Sequence, residues 1–239
     1  MAFMQILTSL LLCILFFTPN EGWYPCGAKG CGEYIIPSGS LLKAVLANGA
    51  QSLDGVQVAG TGTVISDQPL SQYDNTQGFG AVDLLSSLPL KNETDFNIYV
   101  KNDVPLGRGG VHLIDVDIEF HCNTDLSVTV AWYDPPAANG CVKCLVNDVD
   151  LQVKHTSSSK LYHPNGREFP DDTNNLERVR VRDTTIGESY TISVTAKSLG
   201  EVYTYMSNYI LCKVRDLRLF NKSRCILISF IESSLLGPT

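Results

Sequence analysis

The feature that most constrains the fold is a change of hydrophobic period close to residue 96. Beyond that point apolar residues recur at every second position, as at Ile114, Val116 and Ile118, with acidic residues between them. Because successive side chains of a β-strand point to opposite faces, the alternation predicts strands that are buried on one face and solvated on the other. The alternating segments cover residues 114–120, 126–132, 149–153, 178–182 and 190–196.

Turn residues separate these segments. Pro, Gly, Asn and Asp favour tight turns, and they cluster at residues 134–136, 139–140, 164–166 and 186–188. Several short alternating strands joined by such turns predict a mainly β fold, an antiparallel sandwich of jelly-roll type.

One short amphipathic helix is predicted ahead of the strands. Pro37 and Ser38 mark its start, residues 41–46 carry its apolar face, and Asn48-Gly49 supplies its stop. A short strand is predicted at residues 63–65 and a second helical turn at residues 82–88. An apolar helix face of this kind normally packs on a central parallel sheet, and the sequence predicts no such sheet.

Composition limits the classes of function. The chain has 239 residues, of which 44% are hydrophobic, so it can bury a core. Its net charge is -7 and its Lys and Arg residues form no basic stripe along the sequence. Because nucleic-acid binding depends on cationic contacts with phosphate, we expect no nucleic-acid partner.

The N-terminal segment, residues 1–21, is hydrophobic. Its apolar run at residues 6–17 has the length of a signal-peptide core and is short for a membrane span. Secretion is the simplest interpretation, with membrane attachment only if the run is kept as an anchor. The alternative is a buried hydrophobic helix.

Eight cysteines in a chain that is predicted to be exported favour disulfides. Cys26 and Cys31 are close enough to form a local one. Cys141 and Cys144 form a lone C-x-x-C motif without the second ligand pair that zinc requires, so a loop disulfide or two free thiols is favoured over metal or redox chemistry. Asn92 and Asn221 begin glycosylation tripeptides.

Six segments together resemble one protein family, the subtilisin-like serine proteases. The first three are similar to the end of that family's catalytic domain, after the nucleophilic serine, and the last three are similar to a β-barrel domain appended to it. The segments are GWYP at 22–25, PSGSLLKAVLANGA at 37–50, QGFGAVDL at 77–84, WYDPPA at 132–137, LVNDVDL at 145–151 and NNLERV at 174–179.

The resemblance divides the chain into four regions. It implies that residues 22–95 are a truncated α/β remnant of the catalytic domain with one or two helices, and that residues 96–205 are the jelly-roll domain. Residues 206–239 are an unassigned tail. The apolar run at residues 6–17 occupies the place of the serine-bearing helix, so the chain is either a truncated product of a longer precursor or a genuine short secreted protein.

The catalytic triad of the family has no counterpart in this sequence. No serine lies in a Gly-Thr-Ser-Met-Ala context, no histidine in a His-Gly-Thr-His context, and no aspartate in an Asp-Ser-Gly or Asp-Thr-Gly context. The resemblance therefore implies peptide-bond hydrolysis, with protein or peptide substrates, for a parent enzyme, and predicts that this chain alone is inactive. We expect the four histidines, His112, His121, His155 and His163, to be surface residues, and the Ser-rich turn at residues 156–160 to be a solvated loop without an oriented base.

Two clusters of oxygen ligands suggest a calcium site. Asn147, Asp148 and Asp150 form the first, with Asp148 and Asp150 as the candidate metal ligands, and residues 171–177 form the second. Calcium takes six to eight oxygen ligands, which such loops supply. The alternative is turn chemistry, in which Asp and Asn side chains bond their own backbone.

Two other functions stay open. The chain fits a secreted β-sandwich module that binds carbohydrate or protein, with Trp132, Tyr162 and Tyr203 as aromatic contacts, although core packing is the favoured role of Trp132. It also fits a structural protein anchored by its first helix.

Overall fold

The computed structural model describes residues 37–53, 56–57, 60, 64–65, 77–88, 96–118, 125–200, 203–213 and 231–235. The predictions for the run at residues 6–17, for Cys26 and Cys31, for Asn92 and Asn221, and for His121 lie outside these residues. The described part contains one α-helix and eleven strands. They are α1 (Gly39–Gly49), β1 (Val56–Gln57), β2 (Val64–Ile65), β3 (Phe96–Gly107), β4 (Val111–Asp117), β5 (Asp125–Trp132), β6 (Asp148–His155), β7 (Leu161–Tyr162), β8 (Leu176–Arg182), β9 (Ser189–Ser198), β10 (Tyr203–Lys213) and β11 (Ile231–Leu235).

The long strands form two antiparallel sheets. The four-stranded sheet has the order β3-β10-β5-β8, and the five-stranded sheet has the order β11-β4-β9-β6-β7. A separate pair joins β1 to β2, which places a short strand at Val64–Ile65, where the sequence predicted one. Strand β10 runs on to Lys213 and β11 pairs with β4, so residues that the sequence left unassigned take part in both sheets.

The two sheets share one hydrophobic core. In β4 the side chains alternate as predicted: Ile114 and Val116 are fully buried, while Asp115 and Asp117 are exposed. The same alternation in β6 and β9 buries every second residue. The prediction of half-buried antiparallel strands is thus confirmed for these three strands, all of which lie in the five-stranded sheet.

Strand β5 departs from this pattern because both of its faces are buried. Leu126, Val128 and Trp132 belong to the core between the sheets, whereas Ala131 belongs to a second cluster beneath α1. The prediction that Ser127, Thr129 and Ala131 form a solvated face was wrong, because the helix covers the outer face of the four-stranded sheet.

Helix α1 begins and ends where the sequence predicted. The Ser38 hydroxyl caps it by accepting a hydrogen bond of 3.1 Å from the Leu41 amide. Its apolar face packs on the antiparallel four-stranded sheet, in place of the central parallel sheet on which such a face normally packs. The buried helix residues are Leu41, Leu42, Ala44, Val45, Ala47, Asn48 and Gly49.

Residues 77–88 pack against the end of α1. They form one turn where the sequence predicted a helical turn, and in it the Leu88 amide donates to the Leu84 carbonyl at 2.9 Å. At Gly80, with φ +99°, a Cβ would collide with the carbonyl oxygen of Gln51, so only glycine fits there. Among the described helices none is long and apolar enough to span a membrane.

Candidate functional site

The three segments that resemble the appended β domain meet at one place, which we call the motif junction (residues 132–134, 146–151 and 174–178). The Trp132 indole Nε1 donates to the Asn147 carbonyl at 2.9 Å. The Asn175 side-chain Nδ2 donates to the Trp132 carbonyl at 3.2 Å, and the Trp132 amide donates to the Asn175 carbonyl at 3.4 Å. Segments separated by up to 43 residues are thereby held together.

Asp134 fixes the turn that leads into β6. Its carboxylate accepts hydrogen bonds from the amides of Val146, at 2.9 Å, and Asn147, at 2.7 Å. The Asn147 side-chain oxygen in turn accepts from the Gly200 amide at 3.1 Å. The sequence predicts Asp134 only as a turn residue, because bonds to amides 12 and 13 residues away leave no local signal.

Arg178 connects the motif junction to the helix. Its guanidinium is buried and donates to the Ala47 carbonyl at 2.8 Å and to the Ala50 carbonyl at 3.4 Å. It also lies 4.6 Å from the centre of the Phe79 ring. Burial, followed by the charge of Arg180, lowers the pKa of Arg178 to about 9. The alternation had placed Arg178 on a solvated face, which was wrong because α1 covers that face.

Two further contacts fasten the helix to the sheet. The Lys43 ammonium donates to the Asn175 side-chain oxygen at 2.5 Å, and the Asn48 amide nitrogen donates to the Thr129 hydroxyl at 2.8 Å. The segments that resemble the end of a protease catalytic domain therefore contact the segments that resemble its appended domain, at the positions that carry the resemblance.

The candidate metal ligands Asp148 and Asp150 share one face of β6. Burial raises the pKa of both carboxyls, and for Asp148 the charge of Asp150 raises it further. The Lys143 ammonium lies 3.8 Å from an oxygen of Asp148 and 3.0 Å from one of Asp172. A cation of the protein itself therefore already lies beside these carboxylates.

Glu177 approaches the same region from β8. It is fully buried and its Oε2 accepts a hydrogen bond of 2.6 Å from the Leu151 amide on β6. Its Oε1 has no hydrogen-bond partner among the described residues. Burial, together with the charges of Asp150, Asp171 and Asp148, raises the pKa of Glu177 to about 10. The carboxyl is thus neutral at pH 7.

In the second oxygen cluster Asp171 performs turn chemistry. Its fully buried carboxylate accepts hydrogen bonds from the Asn165 and Asn174 side chains, at 2.6 and 2.7 Å, and from the Thr173 amide at 3.0 Å. Arg167 adds an ion pair at 3.1 Å. Both carboxylate oxygens of Asp171 therefore already accept hydrogen bonds from residues of the loop, which is the turn chemistry given as the alternative to calcium binding.

Metal ligands of the usual kind do not gather in the part of the chain that the structure describes, where no three His, Cys, Asp or Glu residues are placed to hold an ion. Cys141 and Cys144 form a disulfide, which agrees with the favoured interpretation of the C-x-x-C motif. Calcium at Asp148 and Asp150 stays a prediction.

The three histidines that the structure describes, His112, His155 and His163, do not form a catalytic site. His112 is buried, with 2% of its surface exposed, because it shares the inward register of Ile114 and Val116, so the prediction of a surface residue was wrong for it. His155 and His163 are half-buried.

A serine, a histidine and a glutamate nevertheless lie in a row near the Ser-rich turn. His155 Nδ1 lies 2.5 Å from the Ser158 hydroxyl, and its Nε2 lies 4.0 Å from Glu188 Oε1. The second distance is too long for the hydrogen bond that orients a triad histidine. The other oxygen of Glu188 accepts from the Tyr190 hydroxyl and the Thr185 amide. The turn itself is exposed, as predicted.

Among the three candidate aromatic contacts, Trp132 is 1% exposed and belongs to the core, which confirms its favoured role. Tyr162 is half-buried at the edge of the five-stranded sheet. The Tyr203 side chain lies outside the described part.

Comparison with known proteins gives three distant similarities. The chain is 24% identical to the serine protease/ABC transporter B family protein tagB of Dictyostelium discoideum. The alignment has 230 positions and covers 75% of the chain. It is 21% identical to tagA and 26% identical to tagD of the same organism, over 73% and 61% of the chain. The chain spans only 12%, 10% and 9% of these relatives. No protein-family model matches it.

Proposed function

We propose that the chain is the closing part of a subtilisin-like serine endopeptidase, with the end of the catalytic domain docked on a C-terminal β domain. The observation that carries the proposal is the contact of Arg178 with the carbonyls of Ala47 and Ala50. It joins two segments that resemble the two domains of such enzymes. The serine protease names of the distant relatives support the same lineage.

We assign the β domain to the jelly-roll type. Numbered from β3 to β10, the strands of the first sheet are the first, eighth, third and sixth, and those of the second are the second, seventh, fourth and fifth, with β11 added at the edge. This order nests two Greek-key connections, the arrangement of a jelly roll.

In this proposal the chain contributes packing, and the parent enzyme cleaves peptide bonds in protein or peptide substrates. Acyl transfer needs a serine activated by an oriented histidine and donors for the oxyanion. The described residues contain no such arrangement, so the reacting groups belong to other parts of the parent enzyme. Helix α1, residues 77–88 and the β domain then support the catalytic core from outside.

We also propose that the protein is exported. The Cys141–Cys144 disulfide supports this, because disulfides persist in oxidising compartments.

Calcium is the one cofactor we propose, at Asp148 and Asp150. One oxygen of Asp148 is buried without a hydrogen-bond partner among the described residues, which leaves it available to a cation. Calcium should raise the melting temperature of the chain, and Asp148→Asn should abolish the increase. Identical melting curves in calcium and in chelator would remove the proposal and leave Lys143 as the cation at this place.

Sequencing of the transcript upstream of Met1 tests the lineage directly. We expect the reading frame to continue into segments that carry the Asp, His and Ser of a protease triad, in that order. A stop codon in frame immediately before Met1 would contradict the proposal that the chain works as part of a longer enzyme.

A further inference from the structure

We propose that the groove between the edge strands β7 and β8 binds an extended acidic peptide. The groove has a volume of about 600 Å³, within the usual range of ligand pockets. We call it the edge groove. The residues that matter for the argument are Lys160, Tyr162, Arg167, Glu168, Arg180 and Arg182.

The edge groove reverses the charge of the molecule. Four cationic side chains line it, and three carboxylates lie in or beside it: Glu168 in the lining, and Asp171 and Asp125, which pair with Arg167 and Arg180. One net positive charge remains there, whereas the whole chain has a net charge of -7. Opposite potentials attract and orient a charged partner. The groove is therefore complementary to a carboxylate-rich ligand, and the negative charge elsewhere repels the extended polyanion of a nucleic acid.

Two of the cations are fixed and two are available. Arg180 is held by Asp125 at 2.9 Å, and Arg167 by Asp171 at 3.1 Å. Arg182 and Lys160 are exposed, and neither has an ion pair among the described residues. The Lys160 ammonium rests 4.7 Å from the centre of the Tyr162 ring. A peptide carboxylate can therefore pair with Arg182 or Lys160, which lie beside the fixed side chains of Arg180 and Arg167.

The backbone of β8 selects a peptide over other anions. Strand β8 is the outermost strand of its sheet. At its open edge, the Asn165 side chain bonds the β8 backbone in the way that a neighbouring strand would. The Asn165 side chain donates to the Leu176 carbonyl at 3.1 Å and accepts from the Arg178 amide at 3.0 Å. Because alternate residues of an antiparallel strand present their polar groups to the same edge, the amides of Arg180 and Arg182 face the edge beyond Asn165. An added strand can continue that ladder.

The side-chain register fits the same ligand. Arg180 and Arg182 lie two residues apart on one face of β8, a separation of about 7 Å along the strand. Because Arg180 is already held by Asp125, Arg182 is the β8 side chain that meets an acidic residue of the peptide, and Lys160 is the second available cation. This proposal does not depend on the protease lineage.

Binding is measured by fluorescence anisotropy of labelled hexapeptides with the full chain. The probe alternates Glu and Val. The first control replaces every Glu by Gln, and the second keeps Glu but carries N-methylated amides on the bonding edge. We expect the Glu-Val peptide to bind at least tenfold more tightly than either control and to weaken with added salt. Equal binding of the Gln-Val peptide would overturn the proposal.

Substitutions then locate the site. Arg182→Gln and Lys160→Gln remove the available cations without touching the ion pairs of Arg180 and Arg167, and each should weaken binding about three- to tenfold. The matched control is Lys197→Gln, an exposed lysine outside the groove, which should bind as the wild type does. Normal binding by the two groove variants would show that the peptide does not bind in the edge groove. If the N-methylated peptide binds as tightly as the Glu-Val peptide and inorganic sulfate displaces it, the edge groove is a site for anions in general and not for a peptide.

Discussion

At the scale of single residues, the motif junction depends on buried polar groups whose partners lie far away in sequence. Glu177, Arg178 and Trp132 are at most 1% exposed, and each bonds a backbone group of another element. A buried polar group without a partner costs several kcal/mol, so these residues restrict which segments can be neighbours. Substitution of any of them tests the arrangement.

Glu177→Gln should change how stability depends on pH. The folded chain keeps a proton on Glu177 up to a pKa of about 10, whereas the unfolded chain loses it near the ordinary value of 4.5. Between these values the unfolding free energy falls as pH rises, because the unfolded state binds fewer protons. At pH 5 the variant should be close to the wild type, and at pH 8.5 it should be more stable by several kcal/mol, since each pH unit between the two pKa values costs the wild type about 1.4 kcal/mol.

Urea unfolding at both pH values measures this difference. Glu168→Gln is the matched control, since it makes the same chemical change on an exposed side chain. Parallel pH profiles for the wild type and Glu177→Gln would show that Glu177 is ionised in the folded protein.

At the scale of elements, the central question is how a lone helix is held on a β domain. Its apolar face contributes through the cluster that includes Leu41, Val45 and Ala131. At its C-terminal end the carbonyls of Ala47 and of the cap residue Ala50 accept hydrogen bonds from Arg178, and the Ala50 amide also donates to the Ala47 carbonyl. The helix therefore has both an apolar and a polar attachment to the four-stranded sheet.

Arg178→Met should release the end of the helix. The substitution keeps an apolar stem but removes the charged donor to Ala47 and Ala50, at a cost of about 2–3 kcal/mol. Hydrogen exchange of the α1 amides should accelerate strongly, while the amides of β6 and β9 stay protected. Arg182→Met, on the same strand but exposed, should change stability by less than about 0.5 kcal/mol. Equal acceleration in all elements would mean that Arg178 supports the whole fold and not the helix in particular.

At the scale of the whole molecule, local patterns predicted the elements, and long-range contacts decided what covers them. The period of two identified β4, β6 and β9, and Ser38 with Asn48-Gly49 marked the helix. The burial of Ser127, Thr129 and Arg178 was missed because it depends on a helix that lies 79 or more residues away. The small side chains on the outer face of β5 are the signal that was available.

The edge groove also could not be predicted from local sequence patterns, because long-range contacts assemble it. Arg180 and Arg182 were visible as an alternating pair, but Lys160 and Arg167 join them only through the pairing of β6 with β7 and the loop at residues 163–168. A basic surface built from separate segments leaves no stripe in the sequence.

The full chain should not react with a fluorophosphonate, a reagent that labels only activated serines. Ser158 is the serine to watch, since its hydroxyl lies 2.5 Å from His155, but Glu188 at 4.0 Å is too distant to orient that histidine. In addition, the Ser158 hydroxyl meets Nδ1, whereas a catalytic serine of this class bonds Nε2, which the Ser157 hydroxyl reaches only at 3.4 Å. We therefore expect labelling no greater than that of the heat-denatured chain, with active subtilisin as the positive control. Labelling that disappears in Ser158→Ala would show instead that the Ser-rich turn is a nucleophile in its own right, and the assignment of the chain to a non-catalytic supporting role would fail.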